Sequence, residues 1–387
     1  MSPIYLDNAA TSFPKPACVP EAVTAFMTGC GCNINRGGYA SAYSAASDIF
    51  DARDLLADFF GGDDPGRVIF TKNVTESLNI ILKGLLKKGD HVLVSSMEHN
   101  AVMRPLVQLE AQGVSFTRVP CHSDGTMDPD TLEQYLTPAT RAVVMTHASN
   151  VCGTVLPAAA IGDFCRRKGL IFIMDSAQTA GILPVNMKEM GIHALAFTGH
   201  KGLLGPQGTG GFVLEKDLVD KIEPILSGGT GSFSHSEEVP LVMPDRFEPG
   251  TLNLPGIMGL YAGLKWLTET GIDVIRQKEE ALTAHFLEGL KPLENEGFLK
   301  PVGLPGAEGR MAVVSVNMLT MDNADAAFRL DSEHGIMTRV GLHCAPSAHK
   351  TLGTYPAGTV RFSFGYFNTE NDIECALKAL WEVCHGI

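Results

Sequence analysis

The chain has 387 residues, 45% hydrophobic and 19% charged, which is too long for one hydrophobic core and too apolar for disorder, so a large and a small domain are expected. Lys and Arg number 30 against 43 Asp and Glu, a formal net charge of −13 that argues against a nucleic-acid phosphate backbone as a partner. No apolar run reaches the ~18 residues needed to cross a bilayer, and Met1 to Asp7 lacks the basic start and apolar stretch of a signal peptide, so the expectation is a soluble cytoplasmic protein.

Across the first two-thirds, short apolar and β-branched runs alternate with longer helical patterns. The runs at 67–71, 91–96, 114–120, 141–149, 170–177, 194–198 and 210–214 read as strands. Leu170-Ile171-Phe172-Ile173-Met174 is apolar throughout, as befits a central strand covered on both faces. Between the first two runs, segment 75–87 puts Leu78, Ile81, Leu82 and Leu85 on one helical face. The alternation predicts an α/β domain on a mostly parallel seven-stranded sheet.

From about residue 254 the pattern changes. One long helix is predicted over 255–288, then a Pro/Gly-rich segment at 301–309, strands at 311–318, 336–340 and 359–364, and a closing helix at 370–385. The expected division is a large domain at 16–254 and a smaller α+β domain made of 1–15 and 255–387. No internal repeat and no low-complexity tract interrupts it.

In an open α/β sheet, ligands bind beyond the carboxyl ends of the strands. After the first strand come Asn73, Val74, Thr75 and Glu76; free N–H groups and a hydroxyl at a helix start can cradle a phosphate, although most such starts are simply capped helices. After the second comes His99, able to stack on an aromatic ligand or move a proton, or to be an ordinary polar loop histidine. After the fifth come Asp175 and Gln178. A helix cap accounts for Asp175, yet a carboxylate behind five apolar residues is costly to bury without a cationic partner. The sixth ends in Thr198, Gly199, His200 and Lys201, and a lysine there, 26 residues after the aspartate, is placed to attack a carbonyl.

Pyridoxal phosphate needs a lysine for its aldehyde, a carboxylate for its ring nitrogen and a phosphate cradle; Lys201, Asp175 and the turn at 73–77 offer all three. With Leu6-Asp7-Asn8-Ala9-Ala10-Thr11 near one end and Val360-Arg361-Phe362-Ser363 near the other, the sequence resembles the class V aminotransferase family of fold-type I pyridoxal-phosphate enzymes, most of all the cysteine desulfurases and selenocysteine lyases. The resemblance implies a role for each matching residue. Lys201 would carry the cofactor, Asp175 would face its ring nitrogen, Gln178 its ring oxygen and His99 its ring face. Val74, Thr75, Thr198 and His200 would bind the phosphate, and Thr251, in Phe247-Glu248-Pro249-Gly250-Thr251, would reach the phosphate of a second subunit, which implies a homodimer. Arg361 would clamp the substrate carboxylate as a bidentate donor, with Asn150, Asn8 and Arg339 beside the substrate and Arg36 near the mouth of the site. Cys152 stands where the family usually has threonine.

Nine cysteines, an odd number spread over a long chain, point to a reducing compartment with most thiols acting as small buried hydrophobes. Cys30 and Cys32 have no second thiol pair at zinc-binding spacing, so no metal is expected. Cys344 differs. Arg339-Val340-Gly341-Leu342-His343-Cys344-Ala345-Pro346 resembles the family segment that bears the nucleophilic cysteine, and His343 and Arg339 are expected to lower its pKa. Val360 follows Cys344 by only 16 positions, a connection that resembles the compact loop of group II desulfurases, which are slow alone and accelerated by a sulfur-accepting protein. The implied reaction takes sulfur from L-cysteine, giving L-alanine and a Cys344 persulfide passed to an acceptor. Selenocysteine lyase and cysteine sulfinate desulfinase are the near alternatives, and a class V aminotransferase without desulfurase activity is a more distant one.

Overall fold

All seven apolar runs of the first two-thirds become strands of one sheet. The structure is a computed structural model that describes residues 3–34 and 37–386; the expectation attached to Arg36 lies outside the described residues. In chain order, β1 (Ile4–Tyr5), α1 (Cys18–Ala25) and α2 (Ala40–Phe59) lead into β2 (Val68–Thr71), α3 (Val74–Leu85), β3 (His91–Ser95), α4 (Asn100–Glu110), β4 (Ser115–Val119) and β5 (Thr140–Thr146). Next come α5 (Ala158–Lys168), β6 (Ile171–Asp175), β7 (Ala194–Thr198), β8 (Gly210–Leu214) and α6 (Lys216–Val219). The last third holds α7 (Leu254–Thr270), α8 (Ile272–Asn295), β9 (Leu299–Val302), β10 (Val313–Met318), α9 (Asn323–His334) and β11 (Ile336–Met337). It closes with β12 (Arg339–Gly341), α10 (Pro346–Thr351), β13 (Thr359–Ser363) and α11 (Glu370–His385).

The large sheet runs β2-β8-β7-β6-β5-β3-β4, and only β8 is antiparallel to its neighbours. Successive side chains leave opposite faces, and both faces are covered. Phe172 and Met174 of β6 join Ile49 and Leu56 of α2 and Leu260 of α7 on one side, while Ile173 joins Leu78 and Ile81 of α3 and Val102 of α4 on the other. That double burial explains the continuous apolar run. The face foreseen for α3 is fully buried at Leu78, Ile81, Leu82 and Leu85, each contributing about 2 kcal/mol.

A second, antiparallel sheet, ordered β12-β13-β10-β9, packs on α8 and α11. The N-terminal strand belongs beside it. Ile4 and Tyr5 pair with Ile336 and Met337, and Asp7 bridges to Ser363.

Three expectations for this half need correction. The helix expected at 255–288 is two, because Gly271, at φ 89°, ends α7 before α8 begins. The run 336–340 splits between β11, paired with β1, and β12, paired with β13. Pro301 opens no loop but sits in β9 opposite Val316, and an edge strand tolerates its missing N–H. Among the described residues no helix is long and apolar enough to cross a membrane.

Candidate active site

The carboxyl ends of β3, β5, β6 and β7 converge with β13 of the smaller sheet. Asp175 is the last residue of β6 and is 3% exposed, and its Oδ1 accepts a hydrogen bond from the Ala177 N–H at 2.9 Å. It therefore caps the following turn, as the simpler reading held. Burial raises its pKa, and Lys201 opposes that shift. Lys201 lies three residues past β7, its carbonyl held by the Ser12 hydroxyl at 2.9 Å and its amine without a hydrogen-bond partner among the described residues. Burial, reinforced by Arg361, lowers the amine pKa to about 8. A lysine so placed is a nucleophile and base near neutral pH.

One end of the cleft is rich in unspent donors. The Thr198 hydroxyl and His200 Nδ1 are buried without partners, and burial drops His200 to about 4, so its ring is neutral. At the start of α3, Asn73 Oδ1 accepts from the Glu76 N–H at 3.0 Å and Glu76 Oε2 accepts from the Lys72 N–H at 2.7 Å. The N–H groups of Val74 and Thr75 are left without acceptors among the described residues. A Cβ on Gly210 would lie 2.7 Å from the Asn73 Cα, so β8 reaches this helix start only because it lacks a side chain.

Thr251 is exposed, and its hydroxyl accepts from Asn33 Nδ2 at 3.3 Å across a cleft shared with Lys72 and Glu76. Its segment is anchored by Glu248, which pairs with buried Arg53 at 2.6 and 2.8 Å and accepts from the Phe70 N–H at 2.6 Å.

The opposite end is cationic. Arg361 is 1% exposed, with one terminal nitrogen on Asp7 Oδ1 at 2.5 Å, the other on the Asn150 carbonyl at 3.1 Å, and Nε without a partner. Asn150 also donates through Nδ2 to the His343 carbonyl at 2.7 Å, fixing the residue before Cys344. Arg339 is half-buried on β12 and adds positive charge that acts on Lys201, His99 and His343. His99 caps α4, its Nδ1 accepting from the Ala101 N–H at 3.0 Å, and burial followed by Lys201 and Arg339 lowers it to about 4. Gln178 donates to the Ala9 carbonyl at 3.2 Å.

Cys344 is exposed and its carbonyl accepts from the Asn100 N–H at 2.8 Å, so the thiol loop is tied to the residue after His99. His343 and Cys344 both hold left-handed backbone, at φ 46° and 58°, a conformation sustained only where the surroundings impose it.

Several expectations change here. His343 does not stand as a cation beside the thiol: it is 3% exposed, shares a hydrogen bond with the Thr359 hydroxyl at 3.1 Å, and is pushed down to about 2 by burial and then by Arg361. Asn8 lines the cavity that borders Lys201 and Gln178, as expected of a residue near the site, while its amide is engaged with Ser363, Asn368 and Phe13 and its neighbour Asp7 touches Arg361. Of the eight cysteines other than Cys344, expected to be small buried hydrophobes, only Cys152, Cys165 and Cys384 are buried; Cys18, Cys30, Cys32, Cys121 and Cys375 are partly exposed. Sequence reasoning also missed Glu98. Its buried carboxylate accepts from the Ser95 hydroxyl at 2.5 Å and the Thr146 N–H at 3.0 Å, and burial lifts it to about 8. Its position directly before His99 was the one available signal.

A family model described as Aminotransferase class-V matches residues 4–375. Among curated relatives, a "Probable cysteine desulfurase" of Pyrococcus abyssi is 35% identical over 395 residues, covering 99% of this chain and 95% of that protein. A "Probable cysteine desulfurase" of Methanothermobacter thermautotrophicus is 34% identical over 385 residues, covering 98% and 94%. Among solved structures, the apo cysteine desulfurase of Thermococcus onnurineus NA1 superposes with a TM-score of 0.91 at 33% identity, covering all of this chain and 95% of that one.

Proposed function

The chain belongs to the class-V aminotransferase family, and from that premise we propose that it is a cysteine desulfurase, taking sulfur from L-cysteine and leaving L-alanine and a persulfide on Cys344. The observation that supports this most is the exposed Cys344, pinned by its carbonyl to the helix that His99 caps. Transamination alone needs no such thiol.

The family's cofactor is pyridoxal phosphate, and the residues present fit it. The unpartnered Thr198 hydroxyl and His200 Nδ1, with the Val74 and Thr75 N–H groups, suit a phosphate. The buried carboxylate of Asp175 suits a cationic ring nitrogen, the Lys201 amine suits the aldehyde, and Gln178 and His99 would serve the ring's edge and face. When bound, the group supplies an electron sink for charge that develops at the substrate α-carbon. Arg361 holds the substrate carboxylate with its free Nε edge, next to Asp7. Lys201 Nζ, with a pKa of about 8, takes the α-proton and later returns one. The Cys344 thiolate attacks the substrate sulfur, an S–S bond forms, the C–S bond breaks, and its electron pair stays on the carbon fragment that becomes alanine. His99, neutral because burial lowers it to about 4, would add no positive charge to the ring it faces.

In this reading the region around 16–254 carries the cofactor, while 1–15 and 255–387 bring Asp7, Arg361 and Cys344 to it. Exposed Thr251 serves a second copy of the chain, making the active form a homodimer, and an acceptor outside the chain takes the sulfur. Free thiols at all nine cysteines fit a reducing cytoplasm.

The test is mass spectrometry of the holoenzyme after brief exposure to L-cysteine. One added sulfur on the Cys344 peptide and an equal amount of alanine are expected, with neither in Cys344→Ala. Alanine formed by Cys344→Ala at the wild-type rate would mean that the C–S bond breaks without this thiol, and 3-mercaptopyruvate formed in place of alanine would return the protein to transamination.

A further inference from the structure

Beside Cys344 a groove of about 500 Å³ opens between α4 and α10. Its floor is apolar, with Met103 buried and Val107 half-exposed at 51%. Its rim carries Arg104, Arg118 and Lys350, all exposed, and none of the three forms an ion pair among the described residues. Two are held by rings instead: the Arg118 guanidinium lies 4.9 Å from the Phe116 centroid and Lys350 Nζ lies 5.0 Å from that of Tyr355. The one carboxylate in the lining, Glu98, is fully buried and engaged with Ser95 and Thr146. Three cations with no carboxylate partner thus share one groove, which reaches the thiol loop through Pro346 and through Asn100, whose N–H holds the Cys344 carbonyl.

We propose that this groove seats the sulfur acceptor, and that the acceptor is a small thiol bearing at least two carboxylates, of about tripeptide size. The proposal rests on the reading of Cys344 as the persulfide carrier. The volume suits a small molecule, and the cations would pair with its carboxylates while its apolar stem covers Met103 and Val107. The step balances without a redox partner. The acceptor thiolate attacks the outer sulfur of Cys344–S–SH, the S–S bond to Cys344 breaks with its electron pair left on the Cys344 sulfur, and the acceptor leaves as a persulfide with the proton redistributed between the two.

The test uses holoenzyme loaded once with L-cysteine and desalted, with the Cys344 persulfide quantified by mass. Glutathione and its diethyl ester, which carries the same thiol without the carboxylates, are then compared for the rate at which they discharge it, normalised to persulfide present. Glutathione should be about tenfold faster, the advantage should shrink at high salt, and Arg104→Glu/Lys350→Glu should abolish it. Equal rates for the two thiols, or a preference that survives the double variant, would overturn the groove while leaving the persulfide reading intact. Absence of persulfide on Cys344 would overturn that reading instead. In that event titration of S-methylglutathione into the enzyme still decides the groove: weaker binding to the double variant supports it and equal binding removes it.

Discussion

Arg361 and Asp7 lie 354 residues apart in the chain, and their side chains meet at 2.5 Å in the floor of the active-site cleft. The guanidinium is 1% exposed, so without a substrate carboxylate Asp7 is its counter-charge. Asp7→Asn should destabilise the ligand-free protein by about 2–3 kcal/mol, the lower part of the cost of orphaning a buried charge, because Asp7 is itself 20% exposed. The same change should enlarge the rise in Tm produced by saturating L-alanine, since the carboxylate would meet an unopposed cation. Thermal scans with and without alanine measure both effects. An unchanged alanine response would mean that Asp7 does not contend with the substrate.

Lys201 sets a pH window. Below about 8 its amine is increasingly protonated and cannot attack an aldehyde. Uptake of pyridoxal phosphate by the cofactor-free protein should therefore quicken about tenfold per pH unit up to about 8 and level off above it, followed by absorbance. Lys201→Ala should show no covalent uptake at any pH.

Much of this was legible from residue order. The central strands of the large sheet announced themselves because strands covered on both faces are apolar along their length, unlike the half-exposed edge strand β4, and Asp175 and Lys201 stood out as polar residues ending such runs. The Asp7–Arg361 pair was not legible, since no local pattern marks a contact across 354 positions. His343 misled for a related reason: adjacency to Cys344 suggested a charged neighbour, whereas Thr359 and the surrounding core hold its ring buried and neutral. Gly271 was hidden in a helical pattern because the apolar period continues on both sides of the break.

Glu279 of α8 is buried beside the cavity that borders Lys201, and burial raises its carboxyl to about 8. Folded, it keeps a proton that the unfolded chain releases near pH 4.5, so its contribution to stability is present at low pH and lost as pH rises through about 8. Glu279→Gln cannot titrate. Its fall in Tm between pH 6 and 8 should be smaller than that of the wild type by about 3 °C, as read by differential scanning calorimetry.

Arg53 and Glu248 form a buried ion pair, with side chains 6% and 4% exposed, that ties the Thr251 segment to β2. Arg53→Met should cost about 3–5 kcal/mol in urea unfolding by leaving Glu248 uncompensated, and adding Glu248→Gln should recover part of it. A single variant as stable as the wild type would show that water reaches Glu248.

The order in which the chain is made has a bearing on its chemistry. A nascent polypeptide that has emerged as far as Leu214 already contains all seven strands of the large sheet, together with Asp175 and Lys201. Cys344 and Arg361 arrive only with the last elements, and Asp7 waits through nearly the whole of synthesis for its partner. On the proposed reading, a chain that has made only the large sheet has Lys201 but neither the Cys344 thiol nor the Arg361 clamp, so the cofactor half can form ahead of the residues that would release sulfur.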